Sequence, residues 1–510
     1  MTMTHPGLPF LWGMSIATII VFTTVWALLA PSPRKAGTGG WSLARLPVIG
    51  PWLRQLVSSP WVLLSLKLVM VAFFLLVIFA GLYGTPIPER NIATMLTWNL
   101  WWTGLIISVL FLGTAWCAVC PWDSLAQWLV RHRLWRRANP NNSLNLRVPR
   151  LLQNVWPALL LFIGLTWMEL GVGITTNPYA TALVALLMVV LATISLAIFD
   201  RKAFCRYFCP VGRTIGFYSQ LAPIELRPID SQVCADCKTL DCYHGSAQVE
   251  PCPTWLVMGR LTQNSYCISC GNCSQSCPQQ NVAWRLRSPS VEAIRTGRPH
   301  WDEAWFMVVL LALTAFHGLT MMPFWEGWIS ILARTIGDSG QLLWSFSVGL
   351  IASLGIVVAV YTIVVAWTRH LIKPAEPFNR VFSTLAFTAL PLAFAYHIAH
   401  NLNHLVREGA GLGSVFRNPL GAGTAPYSML EQHARHLDLL INQDVLFALQ
   451  ALLMTLGFLV AVQVVRYRGG QLLAGQQRSN GWRLAPMFLF AAGFTGFHLW
   501  LLMQPMVMRM

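Results

Sequence analysis

The sequence predicts an all-α polytopic membrane protein of about ten transmembrane helices, interrupted by one cysteine-rich insertion. The first observation is composition: the 510 residues are 55% hydrophobic and 11% charged, with a mean hydropathy of +0.55. A soluble chain carries about 25% charged residues. The second observation is that all twelve cysteines lie between Cys117 and Cys277. Clustering of this kind indicates metal ligation in a reducing compartment rather than structural disulfides.

Ten stretches are apolar over the length of about 20 residues that a spanning helix needs. Trp and Tyr lie at many of their ends, as expected at the membrane interface. The stretches predict an N-terminal membrane domain over 1–200, an insertion over 201–302 and a C-terminal membrane domain over 303–510, with five spans in each membrane domain. The predicted spans are approximately 10–30, 60–82, 97–117, 153–172, 178–199, 303–323, 341–367, 380–404, 441–465 and 484–506. The shorter segment from Trp41 to Pro60 is predicted to lie on the membrane surface.

Loop charge predicts the orientation of the chain. Basic cytoplasmic loops account for the net charge of +16, so a nucleic-acid partner is not expected. With the N-terminus outside, the inside loops carry 17 Lys or Arg without counting the insertion, whereas the outside segments carry 6. We therefore expect a multi-pass protein of the bacterial inner membrane, with both termini periplasmic and the insertion cytoplasmic. The first nine residues contain no Lys or Arg, so the first span is expected to be retained.

The insertion contains the strongest motif in the chain, a run with the spacing C-x2-C-x2-C-x3-C-P. Its ligands are expected to be Cys267, Cys270, Cys273 and Cys277, in the spacing that bacterial ferredoxins use for a [4Fe–4S] cluster. A looser run lies upstream and consists of Cys234, Cys237, Cys242 and Cys252, the last of which is followed by proline. The insertion is therefore predicted to be a ferredoxin-like domain with two [4Fe–4S] clusters.

The ligands of the two clusters are expected to be exchanged between the runs. In two-cluster ferredoxins the fourth cysteine of each run ligates the other cluster. Cluster one is then held by Cys234, Cys237, Cys242 and Cys277, and cluster two by Cys252, Cys267, Cys270 and Cys273. A zinc ribbon also uses paired C-x2-C motifs, but eight cysteines, two of them followed by proline, favour clusters.

Four further cysteines form two Cys–Pro motifs at the predicted inner ends of spans. Cys117 and Cys120 precede Pro121, and Cys205 and Cys209 precede Pro210. Proline ends one helix and fixes the turn that presents the sulfurs. The two motifs predict either a third metal centre with four thiolate ligands, or two pairs of buried or redox-active thiols.

These motifs resemble those of the membrane polyferredoxins of the NapH and NosR type, over roughly residues 60–300. The resemblance implies a quinol-linked redox role, with electrons destined for a periplasmic or maturation partner. The sequence departs from that family in two ways. The first motif has two residues between its cysteines where the family usually has three, and the five C-terminal spans are outside the compact family pattern.

Histidines in the later spans predict a second site, in the outer half of the membrane. Three of them are predicted about 21–24 Å from the inner ends of their helices, at 1.5 Å per residue. Intramembrane ionisable residues are functional by default, and imidazole binds haem iron, zinc and copper. A haem b between facing imidazoles, or a non-haem metal, is expected here, and interhelical hydrogen bonding is the alternative. The histidines are His317, His397, His400, His404 and His498, and the preferred axial ligands are His317, His397 and His498.

The sequence favours a membrane-bound iron–sulfur electron-transfer protein that is linked to quinol and carries electrons between cytoplasmic clusters and a periplasmic haem, metal or partner. Glu169 and Lys67 are charged residues in or beside spans, and Glu169 is placed where quinol oxidised on the outer side would lose protons. The second hypothesis is a redox accessory for maturation or transport of a metal at the outer face. Whether the chain catalyses anything beyond quinol oxidation, as a quinol dehydrogenase subunit would, is left open by the sequence.

Overall fold

The computed structural model describes residues 4–30, 40–43, 47, 49–134, 141–473 and 481–507. Side chains at 53, 54, 57, 58, 433 and 435–437 are outside this description, as are the loop charges predicted at positions 34, 35, 45, 136, 137, 478 and 509. All twelve cysteines and the five intramembrane histidines lie within it.

The helical polytopic fold is confirmed. Within the described ranges, nine helices are long and apolar enough to cross a membrane, and Trp156–Val172 is a shorter apolar helix of the same kind. Together they match the ten predicted spans. The nine are Phe10–Leu29, Pro60–Tyr83, Ile92–Leu112, Pro178–Ile198, Trp301–Thr320, Leu343–Ile372, Phe378–Arg417, Gln443–Leu472 and Gly481–Met503.

Shorter helices connect the spans and build the insertion. Proline occupies the first turn of Pro121–Arg131 and of Pro210–Tyr218, where its missing N–H costs no hydrogen bond. Every residue of Pro210–Tyr218 is buried, so this helix packs into the bundle. The remaining short helices include Ile49–Ser58, Ser231–Ala235, Asp241–His244, Asn272–Ser276, Trp325–Ile336, Leu412–Arg417 and Met429–Leu437.

The insertion is built on a small antiparallel sheet. Its central strand, Val282–Arg287, pairs with Ile224–Pro228 on one side and with Gly40–Ser42 on the other. The helix Ile49–Ser58 also packs against the central strand and against Asn272–Ser276. The segment predicted to lie on the membrane surface therefore contributes a strand and a helix to the cysteine-rich insertion, a long-range pairing that apolar periodicity does not indicate.

The two ends of the described chain lie on the same side of the bundle. The strand Thr4–His5 pairs antiparallel with Met506–Val507, and the N–H of Val507 donates to the carbonyl of Met321 at 2.9 Å. An even number of spans requires this arrangement. Five spans lie between the strand Thr4–His5 and the insertion, which begins after Pro178–Ile198. The paired ends and the insertion are therefore on opposite sides of the bundle. We call the side of the paired ends the histidine side.

Arg468 ties the C-terminal spans to the insertion. Its side chain is 2% exposed and donates from Nε to the carbonyl of Ala293 at 2.5 Å and from Nη2 to those of Glu292 and Gly297 at 2.9 and 3.1 Å. The guanidinium also lies 3.5 Å from the ring centre of Phe387. A buried cation is tolerated because its donors are satisfied in this way.

The substitution Arg468→Ala is expected to destabilise the joint between membrane bundle and insertion. Three buried carbonyls lose their charged donor, and each such loss costs roughly 1–3 kcal/mol. We expect a clear decrease in Tm of the solubilised protein, measured by tryptophan fluorescence. Arg369→Ala is the matched control, since Arg369 is exposed near the end of Leu343–Ile372. Equal Tm values for the two variants would contradict the anchoring role.

Candidate iron–sulfur and quinone sites

The ligands predicted for cluster one are brought together through Asn281. Its backbone N–H donates to Cys277 Sγ at 3.4 Å, and its Nδ2 approaches Cys234 Sγ at 3.5 Å. Burial raises the pKa of the Cys234 thiol, and the negative charges of Cys277 and Cys237 act in the same direction. Cys277, from the second run, therefore lies beside cysteines of the first run, and the exchanged assignment stays a prediction.

Cys252 lies near the other three ligands predicted for cluster two, and it also lies near Cys242, a ligand predicted for cluster one. Burial raises the pKa of the Cys270 thiol to about 12, with the charge of Cys252 as the next cause. Cys252 also contributes to the raised pKa of Cys267 and Cys273. The Cys252 sulfur accepts a hydrogen bond from the N–H of Leu256 at 3.3 Å. Hydrogen bonds of this kind to ligand sulfur are one of the factors that set cluster potentials.

The two sets of cysteines share a small apolar core. Its buried members include Leu226, Met258, Cys273 and Val282, and Cys242, Leu261, Cys277 and Trp284 pack against them. Cysteines of both predicted clusters thus adjoin one core, which places the two sets next to each other. All twelve cysteines of the chain are free thiols.

The two Cys–Pro motifs meet below the bundle. Burial raises the pKa of Cys117 to about 12, and the next cause is the charge of Cys209 from the other motif. Burial likewise raises the pKa of Cys205, with Cys209 and Cys120 among the neighbours that add to the rise. The side chains of the two motifs are therefore in electrostatic contact, although 84 residues separate Cys120 from Cys205.

Asp123 and Lys202 form an ion pair between these thiols. Lys202 Nζ lies 2.5 Å from Asp123 Oδ2, and both side chains are about nine-tenths buried. The Cys205 sulfur lies 4.0 Å from the other Asp123 oxygen. Lys202 also lowers the pKa of Cys270, so this cation is close to ligands of two predicted centres. No motif in the sequence indicates this ion pair.

The Cys–Pro region is also joined to the cluster-two run by hydrogen bonds. Thr114 Oγ1 lies 2.7 Å from Ser269 Oγ, which stands between Cys267 and Cys270. Arg201 Nη1 donates to the carbonyl of Cys252 at 3.0 Å. The N–H of Gly212 donates to Cys209 Sγ at 3.2 Å. The Cys–Pro motifs and the cluster-two ligands therefore form one connected region between the bundle and the insertion.

The cysteine groups of the insertion and of the Cys–Pro motifs offer thiol donors, which are the ligands of iron–sulfur clusters. Among the described residues, no group of three or more His, Cys, Asp or Glu side chains is arranged to hold one metal ion. A single zinc ion draws its thiolates to about 2.3 Å, whereas a cube of iron and sulfide takes one thiolate at each corner and spaces them more widely. Buried thiols with raised pKa values also need positive charge nearby to bind as thiolates.

The intramembrane histidines come together, but in a different combination from the preferred one. The rings of His317 and His400 are 5.0 Å apart and nearly perpendicular, and His404 lies 5.1 Å from His400. His498 stacks on Tyr396 at 4.0 Å, and Tyr396 contacts His400. His400, which is not one of the preferred axial ligands, is therefore central to the group.

His397 is directed toward the Cys–Pro helix instead. Its Nδ1 lies 3.1 Å from the hydroxyl of Tyr218, the last residue of Pro210–Tyr218. Its ring is 5.7 Å from that of Trp102. The preferred ligands were chosen because they lie at equal distances from the inner ends of their helices. That distance does not tell how each helix is rotated about its own axis, and the rotation decides which neighbour each side chain contacts.

Two of these imidazoles are in direct ring contact rather than facing each other across a slot. They are His317 and His400, whose rings contact each other edge to face. A cavity of about 30 Å³ adjoins His317 and His400, and a second cavity of about 390 Å³ is lined by His317 and His404. Glu169 lies 3.9 Å from His317 Nδ1, and Glu408 lies 3.1 Å from His404 Nδ1. The structure thus brings His317, His400 and His404 together beside Glu169 and Glu408, with His498 and His397 close by, and the haem or metal expected at these histidines stays a prediction.

A large apolar cavity adjoins the Cys–Pro motifs. Its volume is about 280 Å³, and five tryptophans line it together with aliphatic and Phe side chains. Trp116 and Pro121, which neighbour Cys117 and Cys120 in sequence, form part of its wall, as does Val211 beside Pro210. Glu169 also lines it. A cavity of this size and lining fits a flat apolar ligand.

Glu169 and Lys67, the two charged residues predicted in or beside spans, lie in different cavities. Glu169 faces the apolar cavity. Lys67 lies elsewhere, with Nζ donating to the carbonyl of Leu134 at 3.1 Å, in a polar pocket that also includes Lys202 and Cys270. Lys67 is buried rather than extended to the membrane surface.

Comparisons with known proteins agree with an iron–sulfur site. A family model described as a 4Fe-4S binding domain matches residues 94–139 and 181–222, the segments that contain the two Cys–Pro motifs. No solved structure matches the chain.

Two curated proteins are similar to parts of the chain. An uncharacterized protein of Methanocaldococcus jannaschii is 25% identical over 191 residues, which cover 35% of this chain and 75% of that protein. YccM of Escherichia coli strain K12, provisionally named an electron transport protein, is 30% identical over 97 residues, which cover 18% of this chain and 25% of its own length.

Serine substitutions are expected to show how the two runs share ligands. If ligation is exchanged, Cys252→Ser and Cys270→Ser remove or alter one electron paramagnetic resonance signal, and Cys277→Ser and Cys237→Ser alter the other. Each pair is expected to lose up to about four iron atoms per chain. The measurement combines spectra of the reduced protein with iron analysis. Loss of the same signal in Cys252→Ser and Cys237→Ser would contradict the exchanged assignment.

Proposed function

We propose that this ferredoxin-type iron–sulfur protein of the membrane oxidises quinol in the apolar cavity and passes the electrons to clusters held by its cysteines. The observation that carries the proposal is the position of the cavity, since its wall includes neighbours of Cys117, Cys120 and Cys209. A hydrophobic electron donor and the first metal centre would then be separated only by side chains of the wall.

Cys117, Cys120, Cys205 and Cys209 are proposed to hold the first iron–sulfur centre. The match of these segments to a 4Fe-4S binding model supports this role, and so does the contact between the two motifs. The clusters of the insertion follow, in the order two and then one, because Ser269 and Lys202 connect the Cys–Pro region with the cluster-two ligands. When bound, the clusters supply one-electron acceptors.

Residues of the cavity are proposed to bind and deprotonate the quinol. The tryptophans provide flat apolar surfaces that suit a quinone ring. Oxidation of one quinol to quinone releases two electrons and two protons. Glu169 is a carboxylate on the cavity wall, and as general base it would accept a proton from the quinol hydroxyl.

The orientation and partners complete the proposal. The insertion, over residues 201–302 between two five-span membrane domains, would lie on the cytoplasmic side, and the bias of basic residues toward the loops on that side supports this orientation. The membrane would be the bacterial inner membrane, with the histidine side periplasmic. Like the NapH and NosR type of polyferredoxin, the protein would then serve a redox partner, to which the clusters supply electrons.

Filling the cavity is expected to block the reaction with quinol. Ala185 lies on the cavity wall, and Ala185→Phe places a ring in the space proposed for the quinone. We expect the rate of cluster reduction by a short-chain quinol to decrease at least tenfold in Ala185→Phe. Reduction by dithionite should be unchanged, because it does not use the cavity. Both rates are measured by the loss of cluster absorbance.

Leu187→Phe is the matched control on the same helix. Leu187 is 44% exposed to the outside of the bundle and does not line the cavity. It is expected to keep the wild-type rate. Cluster reduction that is equally fast in the two variants would contradict the location of the quinone site, and a wild-type protein that quinol cannot reduce would contradict the function itself.

A further inference from the structure

We propose that a polar cavity next to the quinone site is a proton exit that leads from Glu169 to the histidine side of the membrane. The inference rests on the proposed function, because the protons are those of the quinol. The protons use a different cavity from the quinol and move toward the histidine side, whereas the electrons move toward the insertion. The cavity has a volume of about 390 Å³.

The partition between the two cavities consists of few residues. Trp98, Trp102 and Glu169 line both the apolar and the polar cavity. Of these three, only Glu169 has an acidic side chain. A proton taken from the apolar side can therefore leave on the polar side through one carboxyl group, without passing through hydrocarbon.

The polar cavity extends to connecting segments on the histidine side. Its wall includes Pro88 and Glu89 before the span Ile92–Leu112, Thr175 and Thr176 before Pro178–Ile198, and Gln341 before Leu343–Ile372. All three connections lie opposite the insertion, because each joins the ends of spans that point away from it. The exit therefore opens on the side away from the clusters.

Titratable side chains are distributed along this cavity. Glu169 Oε1 lies 3.9 Å from His317 Nδ1, a separation that one water molecule or a small side-chain movement bridges. His404 Nδ1 lies 3.1 Å from Glu408 Oε1. The titratable or charged groups that line the cavity are Glu89, Glu169, His317, His404 and Glu408.

Unsatisfied ring nitrogens indicate that the region contains water. His404 Nε2 and both ring nitrogens of His400 are buried and have no hydrogen-bond partner among the described residues. His400 joins His317 to His404 by ring contacts of 5.0 and 5.1 Å. Buried polar atoms are paired in stable proteins, and a polar cavity of this volume has room for several water molecules. Water and imidazole together form a continuous set of proton carriers.

The transfer is balanced with the electron path. One quinol gives two electrons to the cysteine-bound centres and two protons, one after the other, to Glu169. Each proton passes from Glu169 to His317 or to water, then to His404 and Glu408, and leaves on the histidine side. Glu169 returns to the carboxylate form before it accepts the second proton.

The test uses the full-length protein in sealed vesicles. Vesicles are selected by an affinity tag in the insertion, so that the insertion faces outward and the histidine side faces the lumen. Short-chain quinol is the donor and external ferricyanide is the electron acceptor, which takes one electron per ion. A pH-sensitive dye trapped in the lumen reports the lumenal pH. We expect the lumen to become acidic during turnover, and an uncoupler, which carries protons across the membrane, should abolish this change.

Glu408→Gln is expected to slow quinol-driven ferricyanide reduction at least tenfold and to abolish lumenal acidification. The amide preserves the size of the side chain but cannot carry a proton as a carboxyl group does. Iron content and dithionite reduction of the clusters should be unchanged, which separates this effect from misfolding. Glu326→Gln is the control, because Glu326 is an exposed carboxylate on the same side and does not line the cavity.

The outcomes distinguish the exit from the function on which it rests. If wild-type protein does not transfer electrons from quinol to ferricyanide, the proposed function is wrong. If it does so but the protons appear outside the vesicles, or if Glu408→Gln behaves as Glu326→Gln does, the exit is wrong and the quinol reaction is retained.

Discussion

Crowding of thiols at the base of the membrane bundle is the constraint on which the rest of the structure depends. Burial raises the pKa of Cys117 and Cys270 to about 12, and neighbouring sulfurs add to the rise. Such groups bind metal only as thiolates, so positive charge must be present among them. Lys202 supplies one fixed cation, and Asp123 holds it in place at 2.5 Å. Iron supplies the remaining positive charge in the proposed centres.

The same constraint explains why the ligands come from distant segments. A short loop can present three sulfurs to one cube, but the fourth must approach from another direction. Asn281 places Cys277 beside Cys234, and the two Cys–Pro turns approach each other from the ends of different spans. The strand Gly40–Ser42 and the helix Ile49–Ser58 then cover the insertion, which makes the membrane domain and the insertion parts of one structure.

Local patterns in the sequence were sufficient for the spans and the cysteine motifs, because hydropathy and ligand spacing are properties of short segments. They did not predict contacts that depend on helix rotation. His397, His400 and His404 lie on one helix, yet His400 contacts His317 and His397 contacts Tyr218. The Asp123–Lys202 pair and the two cavities at Glu169 were likewise invisible, because they are formed by residues from several spans whose packing the sequence does not state.

The pairing of the chain ends has a consequence for biosynthesis. The helix Phe10–Leu29 packs against Gln443–Leu472 and Gly481–Met503, so its partners are translated more than 400 residues after it. At 5–20 residues per second this delay is on the order of half a minute. During that time the first span must remain in lipid without its native neighbours, and its apolar surface is accessible to insertion factors. The first span acquires these neighbours only when Gly481–Met503 has been made and Met506–Val507 pairs with Thr4–His5.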